Sequence, residues 1–358
     1  MVANPDAQPP IAVSFLGGAA TEIATQDPRS IAEMVLAAVE GALLNADLGW
    51  DDVDAVVTAS VDLFDGLTAS SIAVTEVVGG VLKPETRIAA DGLAAAIHAV
   101  HQIRSGAYRT VLVVAHGKAS MAPYWDLTSW AMDPIFLQPL GVDFLTVAGI
   151  QANLIAGSSA TIVRDWAKKV VQRRKAASGG TVGPLTVEDV LASPVIAAPI
   201  LSEMCAPLGD GACAVLLSAG DGGVHKTSVS ITGTGHDLDS HHPGDRSLTS
   251  WDGLQRACRQ AYSVAGVDDP KTAFAVVEPS SLFPHEEDLF IAAAGIDKTA
   301  EISPGGGLFV GTAPVVSGLS RLLQAARAIE GTSGLRALAH GTWGPAGQGQ
   351  AVIVVESP

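Results

Sequence analysis

Apolar residues recur along this chain in short blocks of two kinds, and the blocks alternate. Ile11–Leu16, Val53–Ala59 and Arg109–His116 read as strands. Ser30–Asn45 carries apolar residues at helical spacing, with Ser30 as N-cap and Glu33 three residues later, the capping-box spacing. Ala69–Val81 and Gly92–Ser105 also read as helices, on either side of a short strand at Arg87–Ala90. The resulting β-α-β-α-β-α-β order predicts an α/β layer architecture. The last third repeats it: strand Ser228–Gly233, helix Ser250–Ala265, strand Ala273–Glu278, helix Glu286–Ala294, helix Ala313–Glu330, and strands Leu335–His340 and Ala351–Glu356.

The two parts echo each other in residues. Leu48-Gly49-Trp50-Asp51-Asp52 leads to Ala55-Val56-Val57, and Ala265-Gly266-Val267-Asp268-Asp269 leads to Ala275-Val276-Val277. Strand Thr110–Ala115 ends in His116-Gly117, and Leu335–Ala339 ends in His340-Gly341. The matching order suggests duplication of one βα unit. Between the parts lies a stretch richer in Trp, Pro and polar residues, with one long helix at Phe144–Val171 and a Gly- and Ser-rich loop at Ala176–Pro184. Leu201–Leu217 returns to a buried strand through Gly209-Asp210-Gly211. The expected division is an N-terminal half of residues 1–117 plus 200–226, an insertion of residues 118–199, and a C-terminal half of residues 227–358.

Composition narrows the function. The 358 residues are 48% hydrophobic, enough for a large core, yet no apolar run approaches the roughly 20 residues of a membrane span. A formal charge of −16 argues against nucleic acid and anionic membrane partners, because phosphate neutralisation dominates such binding. Residues 1–10 lack the basic and apolar regions of a secretory signal. Cys205, Cys213 and Cys258 are an odd count without metal spacing, which fits buried thiols in a reducing compartment. The expectation is a cytoplasmic protein.

Four stretches carry a family resemblance. Gly92-Leu93 through Ile103-Arg104-Ser105-Gly106, Leu185–Pro199 (LTVEDVLASPVIAAP), Gly209-Asp210-Gly211-Ala212 and Ser303-Pro304-Gly305-Gly306-Gly307-Leu308 resemble segments of the thiolase superfamily. More narrowly, the chain resembles sterol-carrier-type thiolases and lipid-transfer-like acetyl-CoA acetyltransferases, from about Pro10 to Glu356. The resemblance implies two duplicated βαβαβ halves packed as five layers, α-β-α-β-α. It also implies a dimer, with itself or with a thiolase paralogue, and no bound cofactor beyond a coenzyme A thioester as substrate or ligand. The site would lie where the halves meet, at helix N-termini.

The same resemblance exposes missing chemistry. A thiolase carries its acyl group on a thiolate activated at a helix N-terminus. Counting back from Ile103–Gly106 places that position at Ala89, or at Ala90 after a one-residue slip. The family's activating His falls on Thr312, after Gly305–Gly311. Glu278 and Phe283 keep the ends of another family motif, but Ser280 and Ser281 replace the pair between them. The final hairpin, Ala339–Gly344, holds no thiol.

Several groups remain as candidates. Asp91 either acts as a general base or caps the helix starting at Gly92. His340, and less directly its counterpart His116, is either a proton-transfer group or a satisfied structural histidine. Ser280, Ser281 and Thr312 can donate hydrogen bonds to a thioester carbonyl. Gly306 and Gly307 allow close backbone approach to a ligand, and Ala89 and Glu278 complete the expected binding surface. Arg164, Lys168, Lys169, Arg173, Arg174 and Lys175 put six of 21 basic residues within twelve positions. Arg164 and Lys168 either attract coenzyme A phosphates or form a solvated helix face. Gly235–His242 contains zinc-type ligands without their spacing and reads as a polar surface loop.

Three functions compete. The first is an acyl-CoA-binding subunit of a heteromeric acyltransferase or carbon–carbon bond-cleaving complex, with a small OB-fold, zinc-ribbon protein as a further partner. The second is a thiol-independent retro-aldolase on β-hydroxyacyl-CoA, such as a steroid side-chain thioester, with Asp91 or His340 as base. The phenol base associated with such aldolases has no clear equivalent in the second half, where Tyr262 lies on an expected helix. The third is an ordinary acetyl-CoA acetyltransferase.

Overall fold

The computed structural model describes residues 11–67, 69, 72–176, 183, 185–220, 229–297 and 299–358. In the first half β1 (Val13–Ala20), α1 (Ile31–Ala46), β2 (Ala55–Ala59), α2 (Asp62–Asp65), β3 (Glu85–Ile88), α3 (Gly92–Arg104) and β4 (Thr110–Lys118) follow in order. Helices α4 (Tyr124–Trp130), α5 (Phe144–Ala156), α6 (Ala160–Ala176) and α7 (Val187–Ala192) come next. The short strands β5 (Val195–Ala197) and β6 (Ile200–Leu201) pair with each other, and β7 (Asp210–Ala219) completes the half. The second half contains β8 (Val229–Leu238), α8 (Asp252–Ala265), α9 (Pro270–Ala273), β9 (Val276–Glu278), α10 (Pro284–Ala294) and β10 (Glu301–Ile302). It ends with α11 (Ser317–Ile329), β11 (Arg336–Trp343) and β12 (Gly349–Glu356).

The duplication is explicit in the sheets. The first half orders its strands β3-β2-β4-β7-β1 and the second β10-β9-β11-β12-β8. Both share one pattern of pairing: the first three strands pair in parallel, and the two remaining pairings are antiparallel. β1 pairs with β8 over Val13–Phe15, so hydrogen bonding runs through all ten strands.

Side-chain alternation builds the layers. Val111, Val113 and Ala115 of β4 face the middle layer, with Ala337 and Ala339 of β11, against α3 and α11. Leu112 and Val114 face α1 outside the first sheet, and Leu338 faces α8 and α10 outside the second. This is the α-β-α-β-α stack. The expected capping box at Ser30 and Glu33 is present. Among the described residues no helix is long and apolar enough to cross a membrane.

The structure corrects several element assignments. Residues 72–79 form successive turns rather than part of a helix at Ala69–Val81, although Val74 and Val78 are buried. That stretch is rich in β-branched residues and ends in Gly79-Gly80, both weak helix formers. The expected long helix breaks into α5 and α6 at Gly157, whose φ of +52° suits glycine. Helix α11 starts at Ser317 because Pro314 disfavours helix before it and Val315 has φ +70°. Strand β8 runs to Leu238, so Gly235–Leu238 pairs with β12 and only the residues beyond form a loop. Most of the Ala176–Pro184 loop lies outside the described residues.

Candidate active site

The N-termini of α3 and α11 meet at one carboxylate. Asp91 caps α3, accepting a hydrogen bond from the Leu93 amide at 2.9 Å. Its other oxygen accepts from the Ser317 hydroxyl at 2.8 Å and the Gly318 amide at 2.9 Å, the first turn of α11. A Cβ on Gly318 would fall 1.9 Å from Asp91 Oδ1, so glycine there is a condition of the arrangement. Asp91 is 2% exposed. Burial pushes its pKa up to about 6, against the donors that favour the ionised form.

A cavity of about 260 Å³ opens beside these helix ends. Its lining comes from every part of the chain: Ala89–Asp91 of the first half, Phe64 after β2, Tyr124 and Phe144 of the intervening helices, and Ser280, Thr312 and Trp343 of the second half. Four sequence-expected residues therefore meet here, namely Ala89, Asp91, Ser280 and Thr312.

The other expected residues lie elsewhere. His340 is fully buried behind the wall, where its Nδ1 accepts from the Ser280 amide at 3.2 Å. That contact leaves Nε2 as the donor to Gln350 Oε1 at 2.7 Å. Burial pushes its pKa down to about 4, so the ring is neutral at pH 7 with both nitrogens engaged. It positions Ser280 and does not reach the cavity. Glu278 is buried against Arg321 at 2.6 Å, with burial raising its pKa. Gly306 and Gly307 form a tight turn, with φ of +93° and +63°, outside the lining. His116 is buried 3.5 Å from Asp65 on β4, also outside the lining.

The basic cluster on α6 is met by carboxylates. Arg164 pairs with Glu188 at 2.6 Å and Lys168 with Asp165 at 2.8 Å. Lys169 reaches Asp288, Arg173 pairs with Glu287 at 2.8 Å, and Arg174 pairs with Glu203 at 2.9 Å. Most of that charge fastens α6 to its neighbours.

Two cavity residues escaped the sequence reading. Glu286 is the third residue of α10, and its Oε2 accepts from the amides of Leu282 at 2.7 Å and Phe283 at 3.2 Å. Its Oε1 has no protein partner among the described residues. Glu286 is 5% exposed, and burial pushes its pKa up to about 7. Tyr124 opens α4, packs on Phe64 with ring centroids 4.9 Å apart, and has its pKa raised by burial. The available signal was Pro284 at a helix start with a glutamate two residues later, directly behind Ser280–Phe283. No comparable signal marked Tyr124.

The thiols are elsewhere. None of Cys205, Cys213 and Cys258 lines the cavity, and burial pushes each up to about 12. A thiol so protonated is a poor nucleophile at neutral pH.

No family model and no curated protein sequence matches this chain. Solved structures do match. An Ltp2-ChsH2(DUF35) aldolase superposes with a TM-score of 0.77 at 18% identity, covering 96% of this chain and 98% of that one. A monomeric SCP2-thiolase like protein type 1 from Mycobacterium smegmatis superposes with a TM-score of 0.72 at 17% identity, covering 96% of this chain and 76% of that one. The fold is thiolase-like.

Proposed function

We propose that this protein cleaves a carbon–carbon bond in a β-hydroxyacyl thioester by a retro-aldol step, without an acyl-enzyme. The observation that carries the reading is Glu286: a buried carboxylate with one free oxygen and a pKa near neutrality, in a cavity that no thiol lines. A general base works best with a pKa near the working pH.

In the proposed step Glu286 Oε1 takes the proton of the β-hydroxyl. The Cα–Cβ bond breaks as the carbonyl of the leaving fragment forms. Its electron pair moves into the thioester as an enolate, stabilised by the hydroxyls of Ser280, Thr312 and Tyr124. Glu286 then returns its proton to Cα, giving an aldehyde or ketone and a shortened acyl thioester. Asp91 holds the two helix N-termini beside the reacting centre, and His340 holds the Ser280 backbone. The aldolase named above supports the reaction class by its fold. Coenzyme A is the thiol we expect in the substrate.

Product analysis with 3-hydroxyacyl-CoA substrates tests this. Wild-type protein should release a carbonyl compound and a shortened acyl-CoA, with an apparent pKa near 7 on the acid limb of kcat/KM. Glu286→Gln should lose at least about a hundredfold in rate. Equal rates in both proteins would remove Glu286 from the mechanism.

A second reading is favoured by the same thiol-free cavity and by the two-component name of that aldolase. The chain would then be the acyl-CoA-binding subunit of a heteromer, paired with a thiolase paralogue or a small OB-fold, zinc-ribbon protein. Turnover only after adding such a partner, unaffected by Glu286→Gln, would support it.

A further inference from the structure

We infer that the group seated in this cavity is a planar, uncharged carbonyl fragment, an aryl aldehyde or aryl ketone. As the product of catalysis, this assignment rests on the retro-aldol reading above. As a statement about binding, it stands on the walls alone.

One wall is a fixed indole. Trp343 lines the cavity and stacks on His236 with ring centroids 5.7 Å apart and 16° between planes. Gly349, opposite Trp343 across the β11–β12 pair, makes that placement possible. A Cβ there would lie 2.1 Å from the indole Cε2, so any larger residue pushes the ring out of its place. Further aromatic wall comes from the Phe64–Tyr124 pair, centroids 4.9 Å apart, and from Phe144. Aromatic rings gain an edge-to-face or offset-stacking term beyond the burial of their area.

Size limits the occupant. An apolar cavity of about 150 Å³ accepts benzene. The 260 Å³ found here is therefore matched by a single ring with a short carbonyl head. Charge limits it further. Among the described residues no lysine or arginine lines the cavity, whereas Asp91, Glu286 and the imidazole of His241 do. An anionic tail would sit beside two carboxyl groups, with no lysine or arginine among the described residues to meet it.

Calorimetric titration separates this claim from catalysis. Acetophenone should bind roughly three- to tenfold more tightly than cyclohexyl methyl ketone, which has the same heavy atoms without the flat ring. Binding of 4-acetylbenzoate should fall below detection. Gly349→Ala should cost acetophenone that aryl preference, and Trp343→Leu, which leaves the strand pairing intact, should do the same. Equal affinity for the two ketones, binding of the benzoate, tight binding of a steroid ketone, or no ketone binding at all would each overturn the inference. If aryl ketones bind but no thioester is cleaved, the lyase reading fails and this one survives. If only non-aryl thioesters are cleaved, the reverse holds.

Discussion

Replacing Glu286 by glutamine should reshape the dependence of stability on pH. Burial raises this pKa from an ordinary 4.5 to about 7. The folded chain therefore holds the proton more tightly than the unfolded chain. Between those values the unfolded carboxyl ionises while the folded one stays neutral, so stability falls as pH rises. Each unit is worth about 1.4 kcal/mol, so roughly 2.5 units cost about 3 kcal/mol by pH 8. Asp91, raised to about 6, and Asp65, raised to about 7, pull in the same direction. His116 and His340, lowered to about 4, and His285, lowered to about 3, oppose them, because stability from a buried neutral histidine is lost as pH falls below 6.5. The wild-type curve thus mixes cancelling contributions, and the difference from the variant isolates one. The substituted side chain keeps an oxygen for the Leu282 and Phe283 amides and has no proton to lose. Urea unfolding of both proteins at pH 4.5 and pH 8 should show the variant gaining about 3 kcal/mol relative to wild type over that interval. A difference that is constant with pH would refute the elevated pKa and, with it, the choice of base.

Other perturbations follow from the same geometry. Asp91→Ala removes the caps of two helices at once and should destabilise by about 2–4 kcal/mol in denaturant titration, with Asp91→Asn much milder. Tyr124→Phe should lower kcat at least about tenfold with little change in unfolding midpoint, because it removes one donor and keeps the ring packed on Phe64. Arg164→Ala with Lys168→Ala should change KM for a coenzyme A thioester less than about twofold, because both side chains are exposed and already paired. A larger rise in KM would restore them as phosphate contacts.

The fold was legible because its units repeat. The Gly-Trp-Asp-Asp and Gly-Val-Asp-Asp turns lie at matching places in the two halves, as do His116 on β4 and His340 on β11. Both histidines occupy the same strand position, and the pattern that suggested duplication is realised in two sheets of one order. What the sequence hid was depth. His340 looked like a pocket residue because it precedes a glycine-rich turn, but strand β11 continues to Trp343 and carries it behind the wall. Glu286 sits on a helix expected from its periodicity, and only the three-dimensional packing shows that it has no cation partner among the described residues while Glu287 beside it pairs with Arg173. Tyr124 comes from the intervening helices, whose sequence carries no pattern that ties a phenol to the site. Of the two readings of Asp91, general base or helix cap, the structure shows the cap, and the same side chain lines the cavity.

The most direct test removes the thiols and the carboxylate separately. A chain carrying Cys205→Ser, Cys213→Ala and Cys258→Ala should still convert an aryl 3-hydroxyacyl-CoA to aryl aldehyde and acetyl-CoA, as read by mass spectrometry. Glu286→Gln in the otherwise unchanged chain should not. Loss of product in the cysteine-free chain, provided it unfolds at the wild-type midpoint, together with retention in Glu286→Gln, would contradict the account.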